Sequence, residues 1–473
     1  MADNATNGRR LLAALGLGPQ PELVSIVGGG GKTSLMFALA QAWPGRAIAT
    51  TTTRIFAAQM KLSPAVVQIG GWEIETGDWA EEVQSLLAAL RSPLDTFGHC
   101  LIVGPVGEGS NVEKAFGVPV ALPGRLLGRE GIALVIVEAD GSRMRPIKAP
   151  ADHEPVVPPE TTLLVPVAGI DALDEPVEQV AHRPERVRAL LAAAGSAAIV
   201  DERLTAVGLA RLLSHPQGGL KGAPEGARVV PFINKVETAV QLAAATEIAH
   251  LMLTEARIEQ VVIGALRTAQ PVRAVVRRVA AVILAAGTSA RMGRTKQLMP
   301  WGDTTVLGQV IRSARITAVT HTLVVSGHEA AAVEAIAQAE GAAAVHNPHY
   351  AQGEMLSSLQ TAVRHLPPNV GAILVLLADQ PMVTPEVMGQ LLAAYEQQPY
   401  GLIAPAYKGQ RGNPVLIDRR YFAELLALPE GAAPRRLLRH HPDDLLLVPV
   451  ASAGVIVDLD DPETYERWQP ANQ

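Results

Sequence analysis

Short apolar runs alternate along the chain with longer segments of mixed apolar and polar residues. In the first half these runs lie at residues 23–27, 47–49, 133–137, 162–167 and 229–233. Runs of this length that are rich in Val, Ile and Leu, and that stop at glycine or polar residues, predict buried strands. Residues 34–42 follow the first run with helical composition, and residues 9–15 predict a short leading helix.

The second half repeats this alternation. Apolar runs at 281–284, 322–326 and 372–377 predict strands, and residues 330–339 predict a helix. A further helix is expected up to about residue 316, with Asp303 and Thr304 as its N-cap residues. Residues 455–458 predict a strand that runs into a helix, and residues 407–414 predict a hairpin. The pattern predicts an α/β fold with two three-layer domains, at 1–272 and 278–473.

Composition agrees with folded domains and excludes several classes of function. Among 473 residues, 48% are hydrophobic and 18% are charged, which argues against disorder. The net charge of −6 gives no basic surface for nucleic acid, and no stretch reaches the roughly 18 apolar residues of a membrane span. Cys100 is the single cysteine, so an intrachain disulfide is excluded; a packed core thiol in the reducing cytoplasm is expected.

A glycine loop after the first predicted strand suits a phosphate group. The loop residues are Gly28, Gly29, Gly30, Gly31, Lys32 and Thr33. Strand, glycine loop, Lys-Thr and helix follow one another as in a phosphate-binding loop, whose N–H groups would cradle phosphates. Lys32 would neutralise the phosphates and Thr33 would ligate Mg²⁺. Ile26 occupies the position of the usual first glycine, and a glycine loop used only for packing is the alternative.

Acidic residues follow the strand predicted at 133–137. Glu138 and Asp140 resemble a Walker-B site, where a carboxylate serves Mg²⁺ or its water. Ligands of open α/β sheets gather at the carboxyl ends of strands, so these acids are expected near the glycine loop. His153 and Glu154 could form a metal pair, or a loop held by local hydrogen bonds.

Two further segments of the first half have open interpretations. The threonines at 50–53 could serve a metal or a phosphate, or could simply favour extended chain. Asn234 and Lys235 resemble the guanine-reading motif of GTPases, but Glu237 replaces the usual aspartate. The nucleotide of this half could therefore be ATP or GTP, and an ordinary strand-to-helix turn is the alternative.

Taken together, several motifs resemble the selenium-dependent hydroxylase accessory family. They lie at 28–33, 50–54, 138–141, 148–155, 169–173 and 182–185, within a region of about 20–265. The resemblance implies a P-loop-like protein that assists the maturation of molybdenum hydroxylases. A molybdenum hydroxylase apo-enzyme is therefore an expected partner.

The second half opens with a strand followed by a glycine-bounded basic loop. Gly287 and Gly293 would let the backbone approach a ligand, while Arg291, Arg294 and Lys296 could hold polyphosphate. These features favour a nucleoside triphosphate site over an ordinary turn with solvated charges.

The same loop resembles the signature of the molybdenum cofactor nucleotidyltransferases, which have a Rossmann-like fold and join a nucleotide to the pterin phosphate of molybdopterin. The resemblance assigns nucleotide binding to Leu284, Ala285, Ala286, Gly287, Ser289 and Gly293. Ala286 stands where the guanylyl-transferring branch usually has glycine, which implies cytidylyl transfer. Ser357 and Ser358 are expected to bond ribose or base, with helix capping as the alternative.

A carboxylate follows the most apolar strand of this half. Asp379 ends the run at 372–377 on the ligand edge of the sheet, and is a candidate Mg²⁺ ligand. The resemblance implies that Asp460, or Asp458 in its place, faces the metal from the other side. Arg291 and Lys296 would then neutralise the β- and γ-phosphates.

These features predict a bifunctional protein. The second half would transfer CMP from CTP to molybdopterin, and the first half would bind ATP or GTP and assist a molybdenum hydroxylase. A sugar-phosphate or isoprenoid nucleotidyltransferase is one alternative. A cofactor carrier or insertion chaperone with regulatory nucleotide sites is another.

Overall fold

The computed structural model describes residues 2–70, 79–107, 114–192, 195, 197–287, 295–352 and 354–470. The chain divides into two compact units, Met1–Val276 and Arg277–Gln473. Among the residues described, no helix combines the length and apolar character needed to cross a membrane.

The N-terminal unit is built on a sheet of ten strands. In chain order they are Glu22–Gly28 (β1), Arg46–Thr51 (β2), Val66–Gln68 (β3), His99–Val103 (β4), Ile132–Glu138 (β5), Leu163–Gly169 (β6), Arg228–Val229 (β7), Phe232–Asn234 (β8), Gln260–Gly264 (β9) and Val272–Arg277 (β10). The order across the sheet is β10-β9-β8-β6-β1-β5-β2-β4-β3, with β7 also beside β6. Across the sheet, every neighbouring pair between β3 at one edge and β9 near the other is parallel. The carboxyl ends of these strands therefore lie at the same edge of the sheet.

Nine helices are described in this unit. They are Ala2–Ala14 (α1), Lys32–Ala42 (α2), Ala57–Met60 (α3), Ala80–Phe97 (α4), Leu122–Leu126 (α5), Val177–Val180 (α6), Pro184–Ala192 (α7), Ala206–Ser214 (α8) and Ala239–Met252 (α9). A small antiparallel sheet of Arg54–Phe56, Val106–Gly107 and Lys114–Phe116 lies outside the main sheet.

Alternation along the strands gives the unit three layers. In β1, Leu23 joins a core with residues of α4, α8 and α9, whereas Val24 joins a core with residues of α1 and α2. Because successive strand side chains point to opposite faces, each face of the sheet is covered by helices. Cys100 is fully buried in the first core, and burial raises its pKa to about 12, which confirms the predicted core thiol.

The strands predicted in the first half are present, with one difference. The run at 229–233 is split into β7 and β8 rather than forming one strand. Pro231 lies between the two, and proline has no N–H group to donate to a neighbouring strand.

The C-terminal unit contains a mixed sheet of eight strands. They are Val279–Leu284 (β11), His321–Ser326 (β12), Ala343–His346 (β13), Ala372–Leu377 (β14), Leu402–Tyr407 (β15), Gln410–Arg411 (β16), Val415–Asp418 (β17) and Leu445–Pro449 (β18). The order is β13-β12-β11-β14-β17-β15-β16, with β18 also beside β15. Pairs from β13 to β14 are parallel, and β17 lies antiparallel to both of its neighbours.

Helices cover both faces of this sheet. They are Val306–Arg315 (α10), Ala330–Ala339 (α11), Glu354–His365 (α12), Pro385–Gln397 (α13), Phe422–Ala427 (α14), Arg435–His440 (α15) and Pro462–Trp468 (α16). Ile283 of β11 packs in a core with α10 and α13, and Val282 packs in a core with α12. The predicted three-layer α/β fold is therefore confirmed in both units.

Two local predictions in the second half are wrong. Residues 455–458 form no strand; a 3-10 helix covers Ala453–Ile456, started by Ser452, whose hydroxyl accepts from the Gly454 N–H. Helix α10 is capped by Thr305 and not by Asp303 or Thr304. The Thr305 hydroxyl accepts from the Gly308 N–H at 3.0 Å, while the Asp303 carboxylate pairs with Arg312 on the helix surface.

Candidate functional sites

The glycine loop connects β1 to α2 and passes close to neighbouring strands. Gly30 and Gly31 have φ values of 72° and 133°, a region that L residues rarely adopt. A Cβ atom on Gly30 would lie 2.2 Å from the Gly169 nitrogen, and one on Gly31 would lie 2.2 Å from Asn234 Nδ2. The loop conformation therefore depends on glycine at both positions.

The loop does not offer all of its N–H groups to a ligand. Those of Gly28, Gly29 and Gly30 donate to the Asp140 carboxylate and to two main-chain carbonyls, at 3.1, 2.8 and 3.1 Å. The prediction that these three groups cradle phosphate is therefore wrong for this conformation. Within the described residues, the first N–H groups of α2, from Lys32 onward, have no acceptor, as expected at a helix N-terminus.

Lys32 and Thr33 begin α2 and face the acids at the end of β5. Strands β1 and β5 are hydrogen-bonded neighbours, so the two motifs meet as predicted. The Thr33 hydroxyl donates to Glu138 at 2.7 Å. Lys32 is 3% exposed, donates to the Gly28 carbonyl at 2.7 Å and lies 3.2 Å from Asp140. Burial raises the pKa of Glu138, although Lys32 and Thr33 oppose that shift.

Asp140 connects Lys32 to a second buried lysine. Lys148, 5% exposed, lies 3.1 Å from Asp140 and donates to Glu154 at 2.8 Å. Arg183 also donates to Glu154, at 2.6 Å. Burial alone would raise the pKa of Glu154, but these two cations and a backbone N–H lower it to about 2. The Glu154 carboxylate is thus engaged by cations, which disfavours the metal pair considered for this loop.

Asn234 holds the glycine loop in place. Its side chain is 5% exposed, donates to the Gly30 carbonyl at 2.8 Å and accepts from the Leu266 N–H at 3.2 Å. Lys235 is half-buried, and its ammonium pairs with the Asp171 carboxylate at 2.6 Å. The structure places both residues at the site, with the amide of Asn234 already used by the main chain.

The threonine run contributes mostly to backbone contacts. The hydroxyls of Thr50, Thr51 and Thr52 donate to main-chain carbonyls at 2.8, 2.8 and 2.6 Å. Thr53 alone lines the cleft described below. The first three hydroxyls are thus used by the protein's own main chain, which leaves Thr53 as the threonine of this run that could contact a ligand.

A cleft of about 670 Å³ opens above the N-terminus of α2. Thr33 and Glu138 are among the residues that line it, and seven of the lining residues carry a positive charge. These basic residues are Lys32, Arg54, Lys114, Arg143, Arg183, Lys235 and Arg267. Glu138 and Glu154 are the carboxylates among the described lining residues, so the cleft suits an anionic ligand.

A second cleft, of about 410 Å³, lies in the C-terminal unit at the carboxyl ends of β11 and β14. It is lined by the predicted residues Leu284, Ala285, Ala286, Gly287, Lys296, Ser358 and Asp379. Its size falls in the usual range for small-molecule sites. Ser289, Arg291 and Gly293, which the sequence assigned to this site, lie outside the described residues.

Lys296 lies between the two acids predicted to hold metal. Its ammonium is 3.1 Å from Asp379 and 2.6 Å from Asp460. Burial would lower the pKa of Lys296, but the two carboxylates outweigh burial and raise it. The structure therefore brings Asp379 and Asp460 to the same ammonium, as the family resemblance implies, although the segment before Asp460 is not a strand.

Asp458 lies beside this pair. Gln380 donates to its carboxylate at 2.6 Å. Burial raises the pKa of Asp458, and the negative charge of Asp379 adds to this shift. Of the two acids considered for the second metal position, Asp460 is the one that shares a cation with Asp379.

Gln297 is a site residue that the sequence did not reveal. It is 4% exposed, and its Nε2 donates to the carbonyls of Ala285 and Gly287, both at 3.0 Å. These bonds fix the two sides of the turn that ends β11. A lone glutamine beside a basic residue forms no pattern, so no sequence signal indicated this role.

Ser357 and Ser358 lie inside α12, so they are not helix caps. Both hydroxyls accept from Asn347 Nδ2, at 2.9 and 3.0 Å. Asn347 is fully buried and ties this helix to the loop after β13. Ser358 lines the cleft and stays a candidate for nucleotide contact.

Known families match both units. Residues 24–185 match the family model described as YqeC protein. Residues 281–445 match the model described as MobA-like NTP transferase domain. The first segment includes the glycine loop and its facing acids, and the second includes the Lys296 site.

Two Escherichia coli (strain K12) proteins are similar to the two parts of the chain. Uncharacterized protein YqeC is 30% identical over 247 residues, which cover 50% of this chain and 85% of that protein. Molybdenum cofactor cytidylyltransferase is 28% identical over 185 residues, which cover 39% of this chain and 92% of that protein.

Solved structures also resemble part of the chain. One is a homologue, from Mycobacterium sp. strain JC1, of a Mycobacterium tuberculosis protein; it is 28% identical, has a TM-score of 0.37, and the match covers 41% of this chain and 96% of that one. A nucleotidyl transferase from Methanothermobacter thermautotroptrophicus is 22% identical with a TM-score of 0.37, covering 41% and 97%.

Proposed function

The chain belongs to the YqeC family through its N-terminal unit and has a MobA-like NTP transferase domain in its C-terminal unit, and from this we propose that it is a bifunctional protein of molybdenum cofactor maturation. The C-terminal unit transfers CMP from CTP to molybdopterin and releases pyrophosphate. The observation that carries this proposal is the convergence of Asp379 and Asp460 on Lys296, since Lys296 and Asp379 line the cleft of the signature loop.

The donor set of this cleft suits Mg²⁺. Carboxylate oxygens are the ligands that Mg²⁺ prefers, and it is commonly held by one or two carboxylates plus substrate phosphates. Asp379 and Asp460 supply these oxygens. Among the described residues no group of three or more His, Cys, Asp and Glu side chains forms a metal cluster, so substrate phosphates would complete the coordination. Bound there, Mg²⁺ would neutralise charge on the reacting phosphates.

The protein's own side chains position and neutralise the reactants. An oxygen of the pterin phosphate attacks the α-phosphorus of CTP, the bond to the β-phosphate breaks, and pyrophosphate leaves with the electron pair. The phosphate is already a nucleophile, so no side-chain base is needed. Lys296, released from the two carboxylates, neutralises the departing pyrophosphate together with Arg291. Catalysis then rests on orientation and charge stabilisation.

Pyrophosphate release tests this proposal directly. The purified chain is incubated with Mg²⁺ and molybdenum-loaded molybdopterin, and CTP, GTP, ATP and UTP are compared. Release with CTP alone is expected. Release with GTP would show that Ala286 does not select cytidine. If no pyrophosphate is released with any of the four nucleotides and intact cofactor, another acceptor, such as a sugar phosphate, or a carrier function would be favoured.

We further propose that the N-terminal unit binds a Mg²⁺–nucleotide and assists a molybdenum hydroxylase. The Thr33 hydroxyl, the Glu138 carboxylate and the free N–H groups of α2 support this assignment, because together they suit a metal-bound phosphate.

Binding of fluorescent ATP and GTP analogues provides the test. Thr33→Ala is expected to weaken Mg²⁺-dependent binding, whereas Thr33→Ser, which keeps the hydroxyl, is the matched control. Equal affinity of both variants would argue against a metal role for Thr33. A pull-down of the apo-hydroxylase, with and without nucleotide, tests the partner separately.

A further inference from the structure

The small antiparallel sheet of the N-terminal unit presents an ordered set of cations and aromatic rings. Arg54 is paired with Phe116 in register, and Phe56 is paired with Lys114. Each cation lies over the ring opposite, 4.7 Å from its centroid. We call the surface formed by these four side chains the hairpin face, although its two strands, Arg54–Phe56 and Lys114–Phe116, are not consecutive in the chain.

The hairpin face is held by apolar residues behind it. Ile55 and Ala115, which alternate with the four side chains, are 3% and 0% exposed. Because strand side chains alternate between faces, burial on one side fixes the direction of the other. Arg54, Phe56 and Lys114 therefore line the same cleft as Thr33.

The cleft holds more positive charge than its own carboxylates balance. The cations at 32, 183 and 235 are paired with acids, as described above. Arg54, Lys114, Arg143 and Arg267 have no carboxylate within ion-pair distance among the residues that the structure describes. A single Mg²⁺–nucleotide on α2 would leave much of this charge unmatched.

Backbone conformation adds to this observation at Arg143. Arg143 and Met144 have φ values of 48° and 62°, two consecutive L residues in a region that they rarely adopt. Such conformations cost free energy and are concentrated at functional sites. The turn places Arg143 among the residues that line the cleft. Within the described part of the chain, no carboxylate lies within ion-pair distance of it.

We propose that the hairpin face and Arg143 form a second ligand subsite, which binds a phosphate monoester carried on a planar heteroaromatic ring while a Mg²⁺–nucleotide occupies the subsite on α2. The cations hold the phosphate; when Lys114 moves from the Phe56 ring to the phosphate, the ring face that it covers becomes available to the aromatic ring of the ligand. This inference rests on the proposed nucleotide site of the N-terminal unit and names the chemistry of its companion ligand.

Flavin mononucleotide is a suitable probe, because it joins a phosphate monoester to a planar ring related to a pterin. Its fluorescence anisotropy is measured with the full chain, with and without saturating Mg²⁺ and the ATP analogue AMP-PNP. Binding that persists with AMP-PNP is expected. Arg54→Ser combined with Lys114→Gln should weaken it about tenfold or more, since two charged contacts are lost. Arg211→Ser, an exposed cation on α8 outside the cleft, is the control.

The ring and the phosphate are separated by two further comparisons. Phe56→Leu should weaken flavin mononucleotide binding several-fold but leave competition by ribose 5-phosphate unchanged. Arg143→Ser serves as a second charge variant if the double variant does not fold.

Three results would overturn the second subsite: no binding of flavin mononucleotide, complete displacement by AMP-PNP, or equal binding to wild type and charge variants. The assay involves no cytidylyl transfer, so its failure leaves the C-terminal proposal untouched. Failure of AMP-PNP to bind, with flavin mononucleotide still bound, would instead remove the nucleotide site.

Discussion

The Lys296 ammonium and the Asp460 carboxylate lie 2.6 Å apart although 164 residues separate them in the chain. Asp379 approaches the same ammonium from the end of β14. A cation thus stands between the two carboxylates proposed to hold Mg²⁺. Binding of Mg²⁺–CTP would replace this cation and free it for the phosphates.

Asp379→Asn is expected to reduce pyrophosphate release about 10²-fold or more, because an amide cannot balance a divalent cation and charge stabilisation dominates such reactions. The fold should survive, since Asp379 is partly exposed. Asp461→Asn is the matched control; Asp461 caps α16 by accepting from the Thr464 N–H, and asparagine caps equally well. Retained activity with unchanged Mg²⁺ dependence would remove Asp379 from the mechanism.

Gln297→Leu should raise the KM for CTP more than it lowers kcat. The substitution leaves the carbonyls of Ala285 and Gly287 without their donor, which costs about 1–3 kcal/mol of loop stability for buried groups. Gln309→Leu removes a comparable amide from a helix surface and should leave both constants unchanged. Steady-state kinetics over a CTP series measures the effect, and an unchanged KM in Gln297→Leu would refute the positioning role.

Asn234→Ala should weaken nucleotide binding without changing the preference between ATP and GTP. The amide holds Gly30 and Leu266 rather than standing free to read a base. Loss of these buried bonds should also lower the free energy of unfolding by about 1–3 kcal/mol. Equilibrium binding of both nucleotides and urea unfolding measure the two effects. A selective loss of one nucleotide would instead establish base reading.

Glu154→Gln should destabilise the protein at neutral pH and lose this effect in acid. The pKa of Glu154 is about 2 in the folded protein, against an ordinary value of 4.5. Above pH 4.5 the ionised carboxylate contributes its full stabilisation. As the pH falls toward 2, the unfolded state binds a proton that the native state does not, so the contribution declines.

Urea unfolding of wild type and Glu154→Gln at several pH values checks this window. The difference in unfolding free energy should shrink steadily in the acidic range. A difference that stays constant with pH would show that Glu154 acts through packing rather than through its pairs with Lys148 and Arg183.

Apolar patterning predicted the fold well, because the central strands of both sheets are parallel and buried on both faces. Strands β11 and β14 therefore read as continuous apolar runs. The failures are local. The 455–458 run has strand composition, but the Ser452 cap and the contact of Val455 with the Asn413 N–H set a 3-10 helix there. Tertiary contacts outweigh propensity over so few residues.

Site residues were predictable where sequence motifs adjoin strand ends. Glu138 and Asp379 follow buried strands, and sheet topology brings them to their partners. The sequence does not show whether a polar group is free for a ligand or already bonded to another part of the protein. The Gly28 N–H donates to the Asp140 carboxylate, and the Gly29 and Gly30 N–H groups donate to main-chain carbonyls. Gln297 likewise acts through backbone acceptors, so neither arrangement could be deduced from residue type or spacing.

The wide spacing of partners in the first site bears on how the protein is made. Thr33 meets Glu138 across 105 residues, and Gly30 meets Asn234 across 204. A ribosome releases the glycine loop long before β5 and β8, so the emerging chain passes through a long period without a complete pocket. A nucleotide at the proposed site would therefore not guide early folding; it would stabilise the unit only after most of it has been synthesised.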